Sequence, residues 1–240
     1  MERVNAFRNI MSRIFAGSDY ETVNTALTLF MLRKLRYWAS NEIIRSLVKR
    51  SGLMLDLGAG NGAMTKYLLT LINNSGNNVA HLIRGIVLVD PSLQGLMEAK
   101  SLGYIVDPVV GIAEALPIRS SAISIAYSAF ALRQFRDKVR ALLEVRRVLA
   151  RGGYFILLEF WRPTWVFMYV VLLFYLVLPL RIIVALLSPR HIGDYGVMRD
   201  TVLDIGDVGW LRDLARVLVG DVVYLRTYLS IFVLMRVTRS

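Results

Sequence analysis

The stretch Leu53-Met54-Leu55-Asp56-Leu57-Gly58-Ala59-Gly60-Asn61-Gly62 constrains this chain more than any other: an apolar run breaks at one carboxylate into three alternately spaced glycines. Apolar runs bounded by glycine fit a buried parallel strand, and Ala63 to Leu71 continues with a helical pattern. The glycines therefore mark a strand-to-helix turn, where open α/β sheets bind ligands. Alternate glycines let a ligand lie against the main chain with no Cβ in between. The dinucleotide fingerprint is Gly-x-Gly-x-x-Gly, whereas the pattern here is Asp-x-Gly-x-Gly-x-Gly. A carboxylate at the base of the loop repels phosphates and attracts a cation, so a positively charged ligand is expected.

The rest of the chain supplies a sheet around that turn. Gly85 to Asp90 reads as a second strand ending in a carboxylate, placed to accept ribose hydroxyls. Ser92, after Pro91, caps the next helix. Val109 to Pro117 and Ala122 to Tyr127 read as strands three and four, Asp137 to Ala150 as a basic helix stopped by Gly152-Gly153, and Tyr154 to Phe160 as strand five. Val222 to Arg226 and Leu229 to Val237 form a closing hairpin. Ahead of the sheet, Asn5 to Phe15 and Tyr20 to Val48 have helical periodicity.

With 240 residues, 55% of them hydrophobic, the chain can bury one sizeable core, so a single domain over 1–240 is expected. Within it, 1–50 is a helical cap and 164–190 a hydrophobic insertion. The balance of 29 basic against 18 acidic residues gives +11, which favours anionic partners. Having no cysteine, the chain holds no disulfide, thiolate metal site or cysteine nucleophile, and no metal centre is expected. Met1 to Ile10 carries Glu2, Arg3 and Arg8 without an apolar core and is not a secretory leader, so a cytoplasmic protein is expected.

The glycine motif resembles the first motif of class I S-adenosylmethionine (SAM) methyltransferases, whose cofactor bears an amino group and a sulfonium. Further pieces narrow the likeness: Ala113-Glu114-Ala115-Leu116-Pro117, Phe130-Ala131-Leu132-Arg133, Arg147-Val148-Leu149-Ala150-Arg151-Gly152-Gly153 and Leu158-Glu159-Phe160. With Tyr20-Glu21-Thr22-Val23-Asn24 near the start, the chain resembles the ubiquinone/menaquinone biosynthesis C-methyltransferases from about Phe7 to Glu159. The resemblance implies an α/β, Rossmann-like seven-stranded sheet with N-terminal helices, and an insertion between strands five and six. It places the amino-acid end of SAM at Asp56, Gly58, Gly60, Asn61 and Gly62, the ribose at Asp90, and adenine at Ile112 and Ala113, with Ala129 also at the cofactor. The family usually has Asp or Asn at the position of Ile112 and often Ser at that of Ala129, so those side-chain hydrogen bonds are absent here.

The insertion is the most unusual segment. Thr164 to Leu180 contains no charge, and Pro179 interrupts a run that is close to the length of a membrane span. One crossing between strands five and six would strand the closing hairpin on the far side, which argues against a single span. Interfacial insertion into an anionic membrane is the first reading, with a buried lid or homodimer surface and a re-entrant or true span as the others; Trp165, Phe167, Tyr169, Phe174 and Tyr175 suit a lid over a polyprenyl tail. Arg33, Lys34 and Arg36 beside Tyr37 and Trp38 read either as a solvated helix face or as a membrane-facing surface.

Carbon methylation of a lipophilic quinol requires a base for the ring hydroxyl and alignment with the SAM methyl group. His191 is the candidate base, with Tyr195, Tyr20 and Arg133 as orienting or charge-stabilising groups; His191 is equally readable as a loop histidine without a role. A nucleic-acid partner is not expected: Tyr127-Ser128-Ala129-Phe130 follows strand four where amino-group methylation needs Asx-Pro-Pro-aromatic, and cytosine C5 chemistry needs a cysteine. A methyltransferase acting on another lipid or small molecule at the membrane, and a non-catalytic adaptor with the same fold, are the alternatives.

Overall fold

The computed structural model describes residues 20–74, 79–103, 105–187, 189, 199–202 and 204–240. Seven strands form one sheet: β1 (Gly52–Leu57), β2 (Ile83–Asp90), β3 (Val106–Val110), β4 (Ile123–Ala129), β5 (Leu149–Phe160), β6 (Gly220–Tyr228) and β7 (Phe232–Arg239). Their order is β3-β2-β1-β4-β5-β7-β6, with β7 antiparallel to both β5 and β6 and the other pairings parallel. The expected seven-stranded architecture and its closing hairpin are present. Because β1 lies between β2 and β4, the chain winds outward in both directions from the β1/β4 boundary, and a crevice opens at the carboxyl ends of those two strands.

The helices that flank the sheet are α1 (Tyr20–Leu27), α2 (Leu32–Lys49), α3 (Ala63–Asn74), α4 (Leu93–Ala99), α5 (Lys138–Val148), α6 (Val166–Val177), α7 (Pro179–Leu187) and α8 (Val208–Leu218), and residues 199–202 are also helical. One core cluster joins α1 to α4, α6 and α7 to the sheet through residues such as Leu35, Leu68, Leu96, Leu172 and Val184. A second cluster joins α5 and α8 through Leu142, Val145, Leu211 and Ala215. The central strands lie between them: Met54, Leu55, Ile125 and Ala126 are inaccessible to solvent. That is why they read as continuous apolar runs and not as alternations. Glu42 of α2 pairs with Arg236 of β7, tying the cap to the closing hairpin.

Three local expectations need correction. Strand β3 ends at Val110, and residues 111–117 form a loop in which Ile112 bridges Ala115. Pro108 sits inside β3, which an edge strand tolerates. The glycine pair does not end helix α5: the helix stops at Val148, and Gly152 (φ +68°) lies in a bulge where the β4–β5 register passes from Ile123↔Leu149 to Ile125↔Tyr154. The cap is two helices and not one, broken at Leu29 and Phe30, which hold φ of 53° and 60° with no glycine to mark the break. The expected helix at Asn5 to Phe15 lies outside the described residues.

Ser92 caps α4 as expected, its hydroxyl accepting from the Gly95 amide at 3.2 Å. This start brings α4 against the glycine turn. A Cβ on Gly95 would stand 2.8 Å from the Gly60 carbonyl carbon and 2.9 Å from its oxygen, both backbone atoms. Alanine gains about 1 kcal/mol in helix propensity, but overpacking against main chain costs about 1–3 kcal/mol. Gly95→Ala is therefore expected to lower the urea midpoint of unfolding; an unchanged or raised midpoint would show that the helix can retreat from the loop freely.

Candidate active site

The glycine turn is pinned to the end of β2. The amides of Gly58 and Ala59 donate to the Val89 carbonyl at 2.8 and 3.2 Å, and the Gly60 amide donates to Asp90 Oδ2 at 2.9 Å. The second oxygen of Asp90 accepts from the Ser92 amide at 2.8 Å. Asp90 is thus a strut for the loop as well as the expected ribose ligand, and each of its oxygens keeps a lone pair for a diol. Burial raises its carboxyl above the usual range, against the pull of those two amides. The turn requires glycine at two of its positions on separate grounds. Gly58 has φ +72° and a Cβ there would meet that of Ala131 at 2.3 Å; Gly62 has φ +74° with Leu102 and Ala99 closing on it.

Asp56 is 1% exposed and lines a cavity in the crevice, walled by Gly58, Ala59, Met64, Ala129, Phe130 and Arg133 from the sheet side and by Asn24, Leu32 and Arg36 from the cap. The Thr65 hydroxyl donates to Asp56 Oδ2 at 2.6 Å and lies 2.6 Å from the Tyr127 hydroxyl. Thr65 has one proton and gives it to the carboxylate, so Tyr127 donates to Thr65, and the three residues form a directed chain ending on Asp56. Burial pushes the Asp56 carboxyl up to about 7; Thr65 pulls it down, the Asp90 charge adds to the rise, and Arg36 lowers it. Burial, with the Asp56 charge, likewise drives the Tyr127 phenol upward, which keeps it a donor. Neither Thr65 nor Tyr127 stood out in the sequence, since a hydroxyl on a helix and a tyrosine in a strand carry no motif.

Arg133 lines the same cavity, but its charge is already paired. Its Nη1 bonds Glu159 Oε1 at 2.8 Å and the Phe130 carbonyl at 2.5 Å, and Glu159 is fully buried. Phe130 holds φ +59°, so the ion pair fixes a strained turn at the end of β4. Arg36, read with Arg33 and Lys34 as a solvated or membrane-facing stretch, is instead a cavity wall; Trp38 stacks on Tyr228 at 3.9 Å. Only Arg33 and Lys34 of those cations face solvent.

Ala129 is in the wall, and the neighbouring Ser128 hydroxyl is directed to the Leu57 carbonyl at 2.8 Å. Ile112 and Ala113 follow Gly111, whose amide donates to the Asp90 carbonyl at 3.2 Å, so the expected adenine loop adjoins the expected ribose ligand. Ile112 is 49% exposed and offers an apolar side chain there. His191 and Tyr195 lie outside the described residues, and Tyr20 is placed only as the first residue of α1. Among the described residues no group of three or more His, Asp or Glu side chains is arranged to hold a metal.

These residues fit the cofactor that the resemblance implies. A buried carboxylate awaits a cation, and Asn61 Oδ1 is buried with no hydrogen-bond partner, an orphan acceptor beside the glycine turn. Without the cation, the raised Asp56 carboxyl weakens the fold in a defined pH window. Its ordinary value is 3.8 and its folded value about 7, so between them the folded chain holds a proton that the unfolded chain has lost. Stability from this group therefore falls as pH rises from about 4 to about 7. The ligand-free Asp56→Asn variant is expected to melt higher than the wild type at about pH 8, by on the order of a few kcal/mol, and to converge with it near about pH 4. A variant less stable at both pH values would contradict the raised carboxyl.

Comparison with known proteins agrees with the geometry. Residues 3–216 match the profile of the ubiE/COQ5 methyltransferase family. The chain is 33% identical over 154 residues to a ubiquinone/menaquinone biosynthesis C-methyltransferase of Hahella chejuensis, covering 62% of this chain and 57% of that protein. It is 32% identical over 149 residues to the Escherichia coli protein of the same name, covering 61% and 57%. The chain thus spans less than two thirds of the length of these relatives. Among solved structures, a SAM-dependent methyltransferase of Thermotoga maritima superposes with TM-score 0.58 at 19% identity, covering 96% of this chain and all of that one. One from Aquifex aeolicus superposes with TM-score 0.57 at 11% identity, covering 84% and 89%. The fold is that of the class I SAM methyltransferases, SAM is the cofactor implied for this crevice, and the chain belongs to the ubiE/COQ5 methyltransferase family.

Proposed function

We propose that the chain methylates a ring carbon of a lipophilic, polyprenyl-bearing quinol precursor in quinone biosynthesis, working as a peripheral protein at an anionic membrane surface. The observation that carries the methyl-transfer reading is the buried Asp56 carboxylate at the mouth of the β1/β4 crevice, in a chain of this family. When bound, the cofactor supplies an electrophilic methyl group on a sulfonium. Asp56 and the glycine turn hold its cationic end, Asp90 its ribose, and Ile112 and Ala113 flank its base. The apolar walls Leu32, Met64, Ala129 and Phe130 would keep water from the reacting atoms.

The lipophilic substrate and the membrane are supported by the insertion. Helices α6 and α7 form one bent helix over Val166–Leu187, 22 residues long with a mean hydropathy of 2.8: the Leu178 amide still donates to the Phe174 carbonyl, and Pro179 opens the second part. The stripe Leu172, Leu176, Leu180 and Val184 is buried in the main core, and the Tyr175 hydroxyl donates to the Ala26 carbonyl of α1 at 2.6 Å. On the opposite side Val166, Val170, Phe174, Leu178, Ile182 and Leu186 are all exposed. A helix seated along the body with an apolar outer face fits lying in an interface better than crossing it. The Arg162 amide donates to the Gly206 carbonyl at 3.1 Å, so the insertion leaves and rejoins the body at one point. The helix packs on α1, which carries Asn24 of the cavity wall, and contributes no wall residue itself.

The test is transfer of a labelled methyl group from SAM to a demethylated polyprenyl quinol in anionic liposomes. Label is expected on the quinol ring, at least about a hundredfold slower with Asp56→Asn, in line with loss of a charge-assisted contact. Label on phospholipid headgroups instead would favour the other lipid methyltransferase reading. Transfer to neither, by a protein that binds the liposomes, would favour the adaptor.

A further inference from the structure

Two arginines face the cavity, and only one is spent. The Glu159 partner of Arg133 is fully buried, and it also accepts from the amides of Arg133 and Phe160. The unpaired Nε of Arg133 is sealed from the cavity. Arg36 is held differently. It bonds through Nη1 alone, to both oxygens of Glu21 at 2.9 and 2.8 Å, and the Glu21 side chain is 51% exposed. Water screens that pair, so the guanidinium charge is only partly offset. Its Nε and Nη2 make no hydrogen bond to any described residue and are not occluded, although the side chain as a whole is 10% exposed. Arg36 thus lines the same cavity as the Asp56 carboxylate with two nitrogens of its planar fork uncommitted to any described residue.

A cavity with one unpaired acid and one underused guanidinium matches a zwitterion. The amino-acid end of SAM carries an ammonium and a carboxylate on one carbon. Asp56 complements the first; of the two guanidiniums in the described wall, Arg133 is neutralised by the buried Glu159, which leaves Arg36 to complement the second. Resting on the methyltransferase reading, we propose that Arg36 receives the cofactor's α-carboxylate through Nε and Nη2, with Glu21 holding the guanidinium in orientation. Arginine suits this role because its forked donors meet the two carboxylate oxygens together. The cap helix α2 would then sense whether the cofactor is bound, since its buried cation and the sheet's buried acid grip the two charges of one ligand.

The experiment is calorimetric titration of SAM and of decarboxylated SAM, which lacks only the carboxylate, into wild type, Arg36→Met and Glu21→Gln, each shown to be folded by circular dichroism. Wild type and Glu21→Gln are expected to bind SAM at least about tenfold more tightly than the decarboxylated form. Arg36→Met is expected to lose about tenfold to a hundredfold for SAM, with the decarboxylated form unchanged or tighter, as for loss of hydrogen bonds to a charged group. Equal binding of both ligands by wild type overturns the proposal. So does an Arg36→Met variant weakened equally for both. A folded wild type that binds neither ligand overturns the methyltransferase reading itself, a different failure.

Discussion

A single carboxylate at the end of a buried strand organises this molecule. Asp56 sits where β1 stops, inaccessible to water and answered by one hydroxyl, an arrangement that an isolated fold would avoid because burying an ionised acid is costly. The surrounding chain keeps it there. Asp90 holds the glycine turn open by its amides, Gly95 lets α4 close on that turn, and the Arg133–Glu159 pair fixes the strained Phe130 opposite. Three buried or strained features in one crevice make sense together if a cation completes them. Burial raises the Asp56 carboxyl, and a cation placed beside it would offset that cost.

How much of this was legible in the sequence depends on the range of the interaction that fixes each part. The glycine turn, the second carboxylate and the Ser92 cap are local, since backbone angles and short side chains determine them within a few residues, and all stand where expected. The central strands follow from buried runs such as Leu53 to Leu57 and Ile123 to Tyr127, while the seven-stranded architecture comes with the family resemblance. Boundaries failed where a nonlocal contact decides. Gly152-Gly153 looks like a helix stop, but its bulge is set by β4 pairing on both sides of it. The cap breaks at Leu29 and Phe30, residues with no turn chemistry, because α1 packs on α7 about 150 residues later and Tyr175 takes the Ala26 carbonyl. Arg36 was illegible for the same reason: a helix of mixed charge gives no sign of which cation turns inward.

The bent helix Val166–Leu187 illustrates a different limit. Its length and hydropathy are those of a membrane span, and composition cannot say more. The fold adds that every fourth residue from Leu172 to Val184 is committed to the core while the opposite stripe is bare. A membrane-facing outer surface above the cap would bring a hydrophobic tail and the reacting crevice to the same side of the protein. The net charge of +11 over the whole chain would favour anionic lipid over neutral lipid. The same cap bears Arg36, so the two proposed roles would meet in one structural element.

The central claim, that the buried acid is the partner of the cofactor's cationic end, is tested most directly by counting protons. Titration calorimetry of SAM in buffers of different ionisation enthalpy reports how many protons leave on binding. Because the Asp56 carboxyl stands at about 7 in the free protein, a cation placed beside it should expel its proton. The account predicts release of about one proton per SAM at about pH 5.5, falling as pH passes about 7, and none from Asp56→Asn. Binding with no proton release at about pH 5.5, or the same release from the variant, would contradict it.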